Sequence, residues 1–460
     1  MPNSTTVLIV GAGPSGLVAA LSLLHHGFKD FVVVDAVEEG ENTSRALVVH
    51  AATLEALDTI DCGEEIVAKG TKSKGVNFRN RSSKLVSTNF SSLNKHTRHP
   101  YSLVIPQNLT EHILGEKLKG YSVTVHRPCK VASLKMNEND DNFTDVIFED
   151  GKTITAKYVI GADGAHSVVR RMAGIGFADP ETGEKGDRIN NLNQMVLADV
   201  VYEGKDNNDL DSEFLGTLSP ESFFLSIPLP KSFNDLLAKK GQGVEAQIYR
   251  IGAGVPLVDG EIPHSPSKEY LQNLVDRFGP TILSSDCLIR IKEVIWSTRF
   301  RTHSAIADKA FARFGGDELQ GATVGGDKST TKHGGIILLI GDAAHIHSPA
   351  GGQGMNLGIR DAVFLGEALI RHINASASQP SSVDADYILH EFAEGRHKRA
   401  LEVIAFTKNL LSLLGTPDKK ISWLFPISAT TVRDWVMWFA FKFDFMQARM
   451  AWAMSGLGTR

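Results

Sequence analysis

Residues 6–16 read Thr-Val-Leu-Ile-Val-Gly11-Ala-Gly13-Pro-Ser15-Gly16, a short β-branched run that stops at a glycine and gives way to a helical pattern. Leu17, Ala20, Leu21 and Leu24 fall on one helical face, Gly27 ends that helix, and residues 31–34 form a second apolar strand closed by Asp35. This is a βαβ unit, and its parallel strands imply a doubly wound sheet covered on both faces. The three glycines divide the work: Gly11 permits a tight turn, Gly13 lets the backbone approach a pyrophosphate, and Gly16 lets helix and strand pack closely. The helix N-terminus offers N–H groups to phosphate, and Asp35 is placed to accept hydrogen bonds from a ribose. The spacing predicts a bound dinucleotide. It does not choose between a nicotinamide and a flavin dinucleotide.

Working outward, residues 121–160 alternate as short strands, with turns at 137–142 and at Asp150-Gly151. Strand-like runs recur at 194–201, 223–228, 244–250 and 287–296, with one helical stretch at 268–278. They predict an antiparallel sheet in a second domain. Residues 336–340 form another apolar strand and a long helix follows. Residues 315–335 read as a flexible surface loop, 375–384 as a Ser/Pro-rich linker, and the remainder as mostly helical. The expected fold is α/β: a Rossmann-like dinucleotide domain (1–75, 100–184, 301–374) interleaved with an antiparallel-sheet substrate domain (76–99, 185–300), plus a helical C-terminal region (375–460).

The bulk numbers set limits. The chain has 460 residues, 42% hydrophobic and 22% charged, enough for two domains of ordinary globular composition. A formal net charge of -5 argues against nucleic acid as a partner. Three widely separated cysteines, Cys62, Cys129 and Cys287, form neither a metal pattern nor a disulfide framework and fit a reducing, cytoplasmic compartment. The N-terminal run lacks the basic patch and cleavage site of a signal peptide, and no apolar stretch reaches the ~18–20 residues of a membrane span.

A second motif follows the strand at 336–340: Gly341-Asp342-Ala343-Ala344-His345, then Ser348-Pro349-Ala350-Gly351-Gly352-Gln353-Gly354-Met355-Asn356. It resembles the C-terminal flavin motif of the class A flavoprotein monooxygenases, the p-hydroxybenzoate hydroxylase and phenol hydroxylase-like family. The resemblance implies FAD, with Asp342 on the ribityl chain and Pro349, Gly352, Gly354, Met355 and Asn356 along the flavin edge. Glycines admit a flat ring close to the backbone. The helix beginning near Gly352 would turn its positive end toward a reduced, negatively charged flavin. His345 and His347 read as packing and hydrogen-bonding residues, not metal ligands.

A third motif, Gly161-Ala162-Asp163-Gly164, matches the family's Asp-Gly element near the pyrophosphate. By the same resemblance Arg45 and Gln107 join Gly11, Gly13, Ser15, Gly16, Asp35 and Asp163 as cofactor contacts. The family implies a monooxygenase reaction: NADPH or NADH visits transiently as reductant, dioxygen reacts with reduced FAD, and a flavin C4a-hydroperoxide hydroxylates a small aromatic or polyketide-like substrate. The chain has no second Gly-x-Gly-x-x-Gly, so no standing nicotinamide site is expected.

The catalytic base is not legible. Phe300 stands where phenol hydroxylase-like relatives carry a tyrosine, which leaves Arg299, His303 and Tyr249 as polar candidates. The substrate is expected between the flavin and the second sheet, with Phe223, Phe224, Leu225 and Ile227 as wall candidates. A homodimer is open, and the apolar run at 435–443 reads as core, as oligomer contact or as a membrane-surface helix. Alternatives within the flavin class are an epoxidase, a Baeyer–Villiger oxidase or a flavin reductase. The halogenase Trp-x-Trp-x-Ile-Pro signature is absent. A binding protein of the GDP-dissociation-inhibitor type shares the fold, but retention of Asp35, Asp342 and the Gly352–Gly354 segment argues against it.

Overall fold

In the strand Ser4–Val10, Val7 and Ile9 point into one apolar core while Leu8 and Val10 point into another. That two-sided burial is what a central parallel strand requires. In the computed structural model, which describes residues 1–38, 46–80, 83–184, 194–203, 214–280, 289–301, 303–315, 334–378, 382–420 and 427–459, this strand lies between Thr153–Gly161 and Phe31–Val34, both parallel to it. Ile336–Leu339 extends the sheet on one side and Val125–His126 on the other, also in parallel. The helices Pro14–His25 and Gly354–Ser378 share the first core, which also takes Leu54, Leu103 and Leu109. A fully buried Leu or Ile of this kind contributes about 1.5–3 kcal/mol. The α/β, Rossmann-like architecture read from the first motif is thus the observed one.

The second sheet runs in the order Ile291–Arg301, Gln194–Tyr202, Tyr249–Gly254, Ser222–Pro228, Phe214–Ser219, Gly75–Arg79, Lys84–Asn89. It is antiparallel except where Phe214–Ser219 runs parallel to Gly75–Arg79. The amphipathic helix Lys268–Phe278 covers one face with Leu271, Leu274, Val275 and Phe278, against Val196, Ala198, Val200, Tyr249 and Ile251. The opposite face carries Met195, Phe223, Leu225 and Phe300, which meet Leu410, Leu411 and Leu414 of the long helix Ser382–Leu414. On that opposite face Asp199 and Arg250, both fully enclosed, form a bidentate pair, with Nη2 2.8 Å from Oδ2 and the guanidinium 5.2 Å from the Trp296 ring.

Three expectations need correction. The strand expected at 244–250 runs instead over Tyr249–Gly254, because Ala253 and Ile251, not the polar residues 245–247, have cross-strand apolar partners. The strand expected at 287–296 runs over Ile291–Arg301. The linker expected at 375–384 is largely helical, since one helix continues to Ser378 and the next begins at Ser382. The helix Lys231–Lys239 and the strand Phe214–Ser219 were not anticipated. Cys287, Arg45 and most of the 315–335 loop lie outside the described residues.

The C-terminal helices Ala429–Ala440 and Asp444–Ser455 do not bury their apolar run as core. Trp435, Val436, Phe439 and Phe445 are 62%, 60%, 59% and 65% exposed. Among the described residues no helix is long and apolar enough to cross a membrane.

Removing one partner of a buried pair leaves an uncompensated charge, which costs about 3–5 kcal/mol. Asp199→Ala should therefore lower the urea midpoint of unfolding markedly. The double change Asp199→Leu/Arg250→Met, which removes both charges, should recover most of the loss in the same denaturation measurement.

Candidate cofactor site

The glycines of the first motif behave as three different objects. Gly11 has φ +104, donates its N–H to the Val34 carbonyl at 2.8 Å, and leaves no room for a side chain against the Ala162 carbonyl. A Cβ on Gly16 would overlap the Gly11 carbonyl. Gly13 is different: a Cβ there would meet nothing nearer than Glu111 Oε1 at 4.0 Å. Packing therefore explains Gly11 and Gly16 but not Gly13, whose open side is the place a pyrophosphate would take. Gly13 also stands as the N-cap of the helix Pro14–His25 with no side chain capping it, so the first-turn N–H groups are available to an anion.

Asp35 accepts from the Ala12 N–H at 2.6 Å and the Val37 N–H at 3.0 Å, with Arg127 Nη2 3.7 Å away. Arg127 also donates to the Ala12 carbonyl at 3.2 Å. It lies far along the chain from the motif, so no local pattern marks it. Gln107 accepts from the Ala46 N–H at 3.4 Å and donates to Glu111 at 2.8 Å. Burial pushes the Glu111 carboxyl above its ordinary range, while the Gln107 bond and Arg127 pull it back. Glu111, like Arg127, was missed in the sequence.

The second motif folds onto the first. Gly341, at φ +58, and Gly358 both face the Ser15 hydroxyl with no space for a Cβ. Asp342, in the short 3-10 turn Gly341–Ala343, is exposed beside this contact. The third motif joins through Arg170, which donates to the Ala165 carbonyl at 2.8 Å and the Ala343 carbonyl at 2.7 Å. Asp163 Oδ2 accepts from the Val168 and Val169 N–H groups at 2.7 and 3.2 Å, while its buried Oδ1 has no protein partner.

The loop 349–353 is clamped from the N-terminal side. Asn356 donates to the Val48 carbonyl at 2.8 Å and the Gly352 carbonyl at 2.7 Å, and its Oδ1 accepts from the His50 N–H at 2.8 Å. His50 Nε2 donates to the Gly351 carbonyl at 2.9 Å, and its Nδ1 lies 3.3 Å from the Ser102 hydroxyl. Gln353 donates to the Met454 carbonyl at 3.1 Å, which ties the last long helix to the loop. Gly351 and Gly352 have φ +80 and +63, conformations that favour glycine. Pro349, Gly354 and Met355 fall in the same segment, Gly354 opening the helix Gly354–Ser378. His345 bonds Asp361 at 2.6 Å, and His347 Nδ1 donates to the Ser348 carbonyl at 2.8 Å. The chain thus presents an open glycine cradle, uncapped helix N–H groups and an orphaned carboxylate oxygen to one region, an arrangement that fits FAD.

The polar candidates for catalysis are dispersed. Arg299 pairs in register with Val196, so it lies on the helix-covered face of the second sheet, where it bonds Glu261 at 2.5 Å and the Ile262 carbonyl at 3.2 Å. Tyr249 is buried on that same face, 4.9 Å from the Tyr202 ring. His303 is exposed. The opposite face carries Met195, Phe223, Leu225 and Phe300, in one apolar cluster with Ala350 of the loop 349–353. Ile227 also faces the cofactor domain, whereas Phe224 faces the helix side.

Two predictions follow from the clamp and the cradle. Gly13→Ala should leave the fold intact and weaken FAD binding at least tenfold by fluorescence titration, whereas Gly16→Ala should lower the unfolding temperature by overpacking. Burial lowers both His50 and His347 from the ordinary value of 6.5 to about 4, against a smaller upward pull from their backbone bonds. The unfolded chain takes up protons near 6.5 that the folded chain refuses. Stability is therefore complete above that pH and falls as the pH drops toward 4, by on the order of 3 kcal/mol per ring. A pH series of thermal unfolding should show this slope, and His50→Gln should reduce it.

Residues 4–210 and 292–407 match the family model described as FAD binding domain. Pentachlorophenol 4-monooxygenase of Sphingobium chlorophenolicum is 28% identical over 402 residues, 85% of this chain and 63% of that protein. The 12-dehydrotetracycline 5-monooxygenase/anhydrotetracycline 6-monooxygenase of Streptomyces rimosus is 29% identical over 389 residues, 82% of this chain and 65% of that protein. The chain thus spans under two thirds of these relatives' length. Among solved structures, p-nitrophenol 4-monooxygenase from Pseudomonas putida superposes with a TM-score of 0.73 at 22% identity, covering 100% of both chains. The match over most of the chain, together with the cradle built from its three motifs, makes this protein a member of the FAD binding domain family.

Proposed function

We propose that the chain is a single-component, FAD-dependent monooxygenase that hydroxylates a small aromatic or polyketide-like molecule, drawing electrons from NADPH or NADH. When bound, FAD supplies the redox chemistry: it accepts the reductant's electrons and lets one atom of dioxygen be transferred. The observation that carries the reading is the apolar face of Met195, Phe223, Leu225 and Phe300, which shares one cluster with Ala350 of the loop 349–353. A flat, poorly hydrated substrate suits that wall, and the wall would keep water from the reacting centre.

The relatives support the substrate class, since they act on pentachlorophenol and on 12-dehydrotetracycline and anhydrotetracycline. The helix Gly354–Ser378 begins at the loop and directs its positive end where negative charge would develop on reduction. Asp342 would hold the ribityl chain. Phe300 offers no hydroxyl, and Arg299 and Tyr249 lie on the far face, so substrate deprotonation by a side chain at those positions is not part of the proposal.

The purified protein should be yellow and should oxidise NADPH or NADH faster in the presence of phenols, hydroxybenzoates or polycyclic polyketides. With ¹⁸O-labelled dioxygen the product should gain one labelled oxygen. Reduction of substrate or of dioxygen alone, with no label in product for any active compound, would instead indicate a flavin reductase. Asp342→Ala should lower FAD occupancy by at least tenfold in absorbance of the purified protein.

A further inference from the structure

Beside the turn that carries Asp342 lies a buried cluster that the flavin contacts do not use. Asp361 Oδ2 accepts from the Gly341 N–H at 3.2 Å and from His345 Nε2 at 2.6 Å, and Oδ1 accepts from Arg396 Nε at 2.6 Å. Burial alone would raise the Asp361 carboxyl, but Arg396 and the hydrogen-bonded His345 hold it well below the ordinary carboxylate range. Two atoms of this cluster have no protein partner: His345 Nδ1 and Arg396 Nη2, both shielded from solvent. The same two residues line a cavity of about 10 Å³, walled elsewhere by Ile306, Ala310, Leu339, Phe392 and His397.

The donor pattern restricts what the cavity can take. His345 Nδ1 accepts when the ring is neutral and donates when it is protonated, and a water molecule can meet either state. Arg396 Nη2 presents only N–H and needs an acceptor. A metal cation would face the guanidinium N–H groups. The volume is that of about one water molecule.

We propose that this cavity binds one water molecule, which hydrogen-bonds to His345 Nδ1 and accepts from Arg396 Nη2. It closes the ring Asp361–His345–water–Arg396. That ring fixes the carboxylate on the Gly341 N–H and so fixes the turn that presents Asp342. Asp361, His345 and Arg396 are accordingly positioning residues for the cofactor, acting through the backbone. The inference rests on FAD being the ligand of the Asp342 turn.

A high-resolution crystal structure of the FAD-loaded protein should show a solvent peak at about 2.7–3.2 Å from both nitrogens. No peak, or a peak with the anomalous signal of bromide after a bromide soak, would overturn the water assignment. The second arm fills the cavity. Ala310→Val should displace the water and weaken FAD binding about tenfold in a fluorescence titration. Ala310→Ser should bind FAD within about twofold of the parent, because its hydroxyl is small and polar. If Ala310→Val folds and binds FAD as tightly as the parent, the link from cavity to cofactor is wrong. If it does not fold, the density still decides the water. A parent protein that takes up no FAD would instead count against the flavin reading, which keeps the two failures apart.

Discussion

Everything in the cofactor domain depends on how closely the helix Pro14–His25 can approach the helix Gly354–Ser378. The contact point is the Ser15 hydroxyl, wedged against Gly341 and Gly358 where neither could carry a Cβ. A second close contact lies further along the same pair of helices, where Gly366 faces Ser22 and the Ser22 hydroxyl donates to the Val363 carbonyl at 2.9 Å. Small residues at both points let the two helices pack backbone to backbone. That is what brings a phosphate-binding turn near the start of the chain within reach of a loop some 330 residues later. Interiors pack at crystal-like density, so a methyl group on Gly366, 2.7 Å from Ser22 Cβ, would force the helices apart, while one on Gly341 or Gly358 would displace the Ser15 hydroxyl.

Around that contact, the arrangement of hydrogen bonds distinguishes parts that hold the protein together from parts left for a ligand. Asp35 is largely engaged by the Ala12 and Val37 N–H groups, and Asn356 spends all its polar capacity on Val48, His50 and Gly352. These side chains shape the cradle before any ligand arrives. Asp163 keeps one buried oxygen unpaired, and the helix after Gly13 keeps its first N–H groups uncapped. Unsatisfied polar atoms are costly inside a protein, so their concentration along one seam is the mark of a ligand site, not of ordinary packing.

The sequence made the cofactor half readable because its signals are local. Gly11, Gly13 and Gly16 carry three distinct duties within six residues, and Gly341 to Asn356 carry the second half of the site in a single run. Arg127, Glu111, Arg170 and His50 were less legible because each enters from a different strand or helix and has no pattern of its own. Strand ends also escaped. Val244, Ala246 and Ile248 alternate with the polar Glu245 and Gln247 as a strand would, and only the pairing of Ile251 with Ala198 and of Gly254 with Met195 sets where it runs.

The catalytic half failed to be legible for a sharper reason, which is parity. Side chains on a strand alternate faces, so a one-residue difference decides whether a group meets the flavin loop or the outer helix. Met195 pairs with Phe300 and faces Ala350, whereas Val196 pairs with Arg299 and faces the helix Lys268–Phe278. The stretch Trp296-Ser-Thr-Arg299-Phe300 shows polar and apolar residues in an order that suits either phase. Buried Asp199 breaks the pattern further, because its partner Arg250 makes a charged residue behave as interior. Once register is known, the same alternation yields a definite wall: the side chains that share a face with Met195 are apolar or already paired. On the proposed reading, selectivity on that face comes from shape and from the loop 349–353, since Met195, Phe223, Leu225 and Phe300 are apolar and Asp199 and Arg250 are paired with each other.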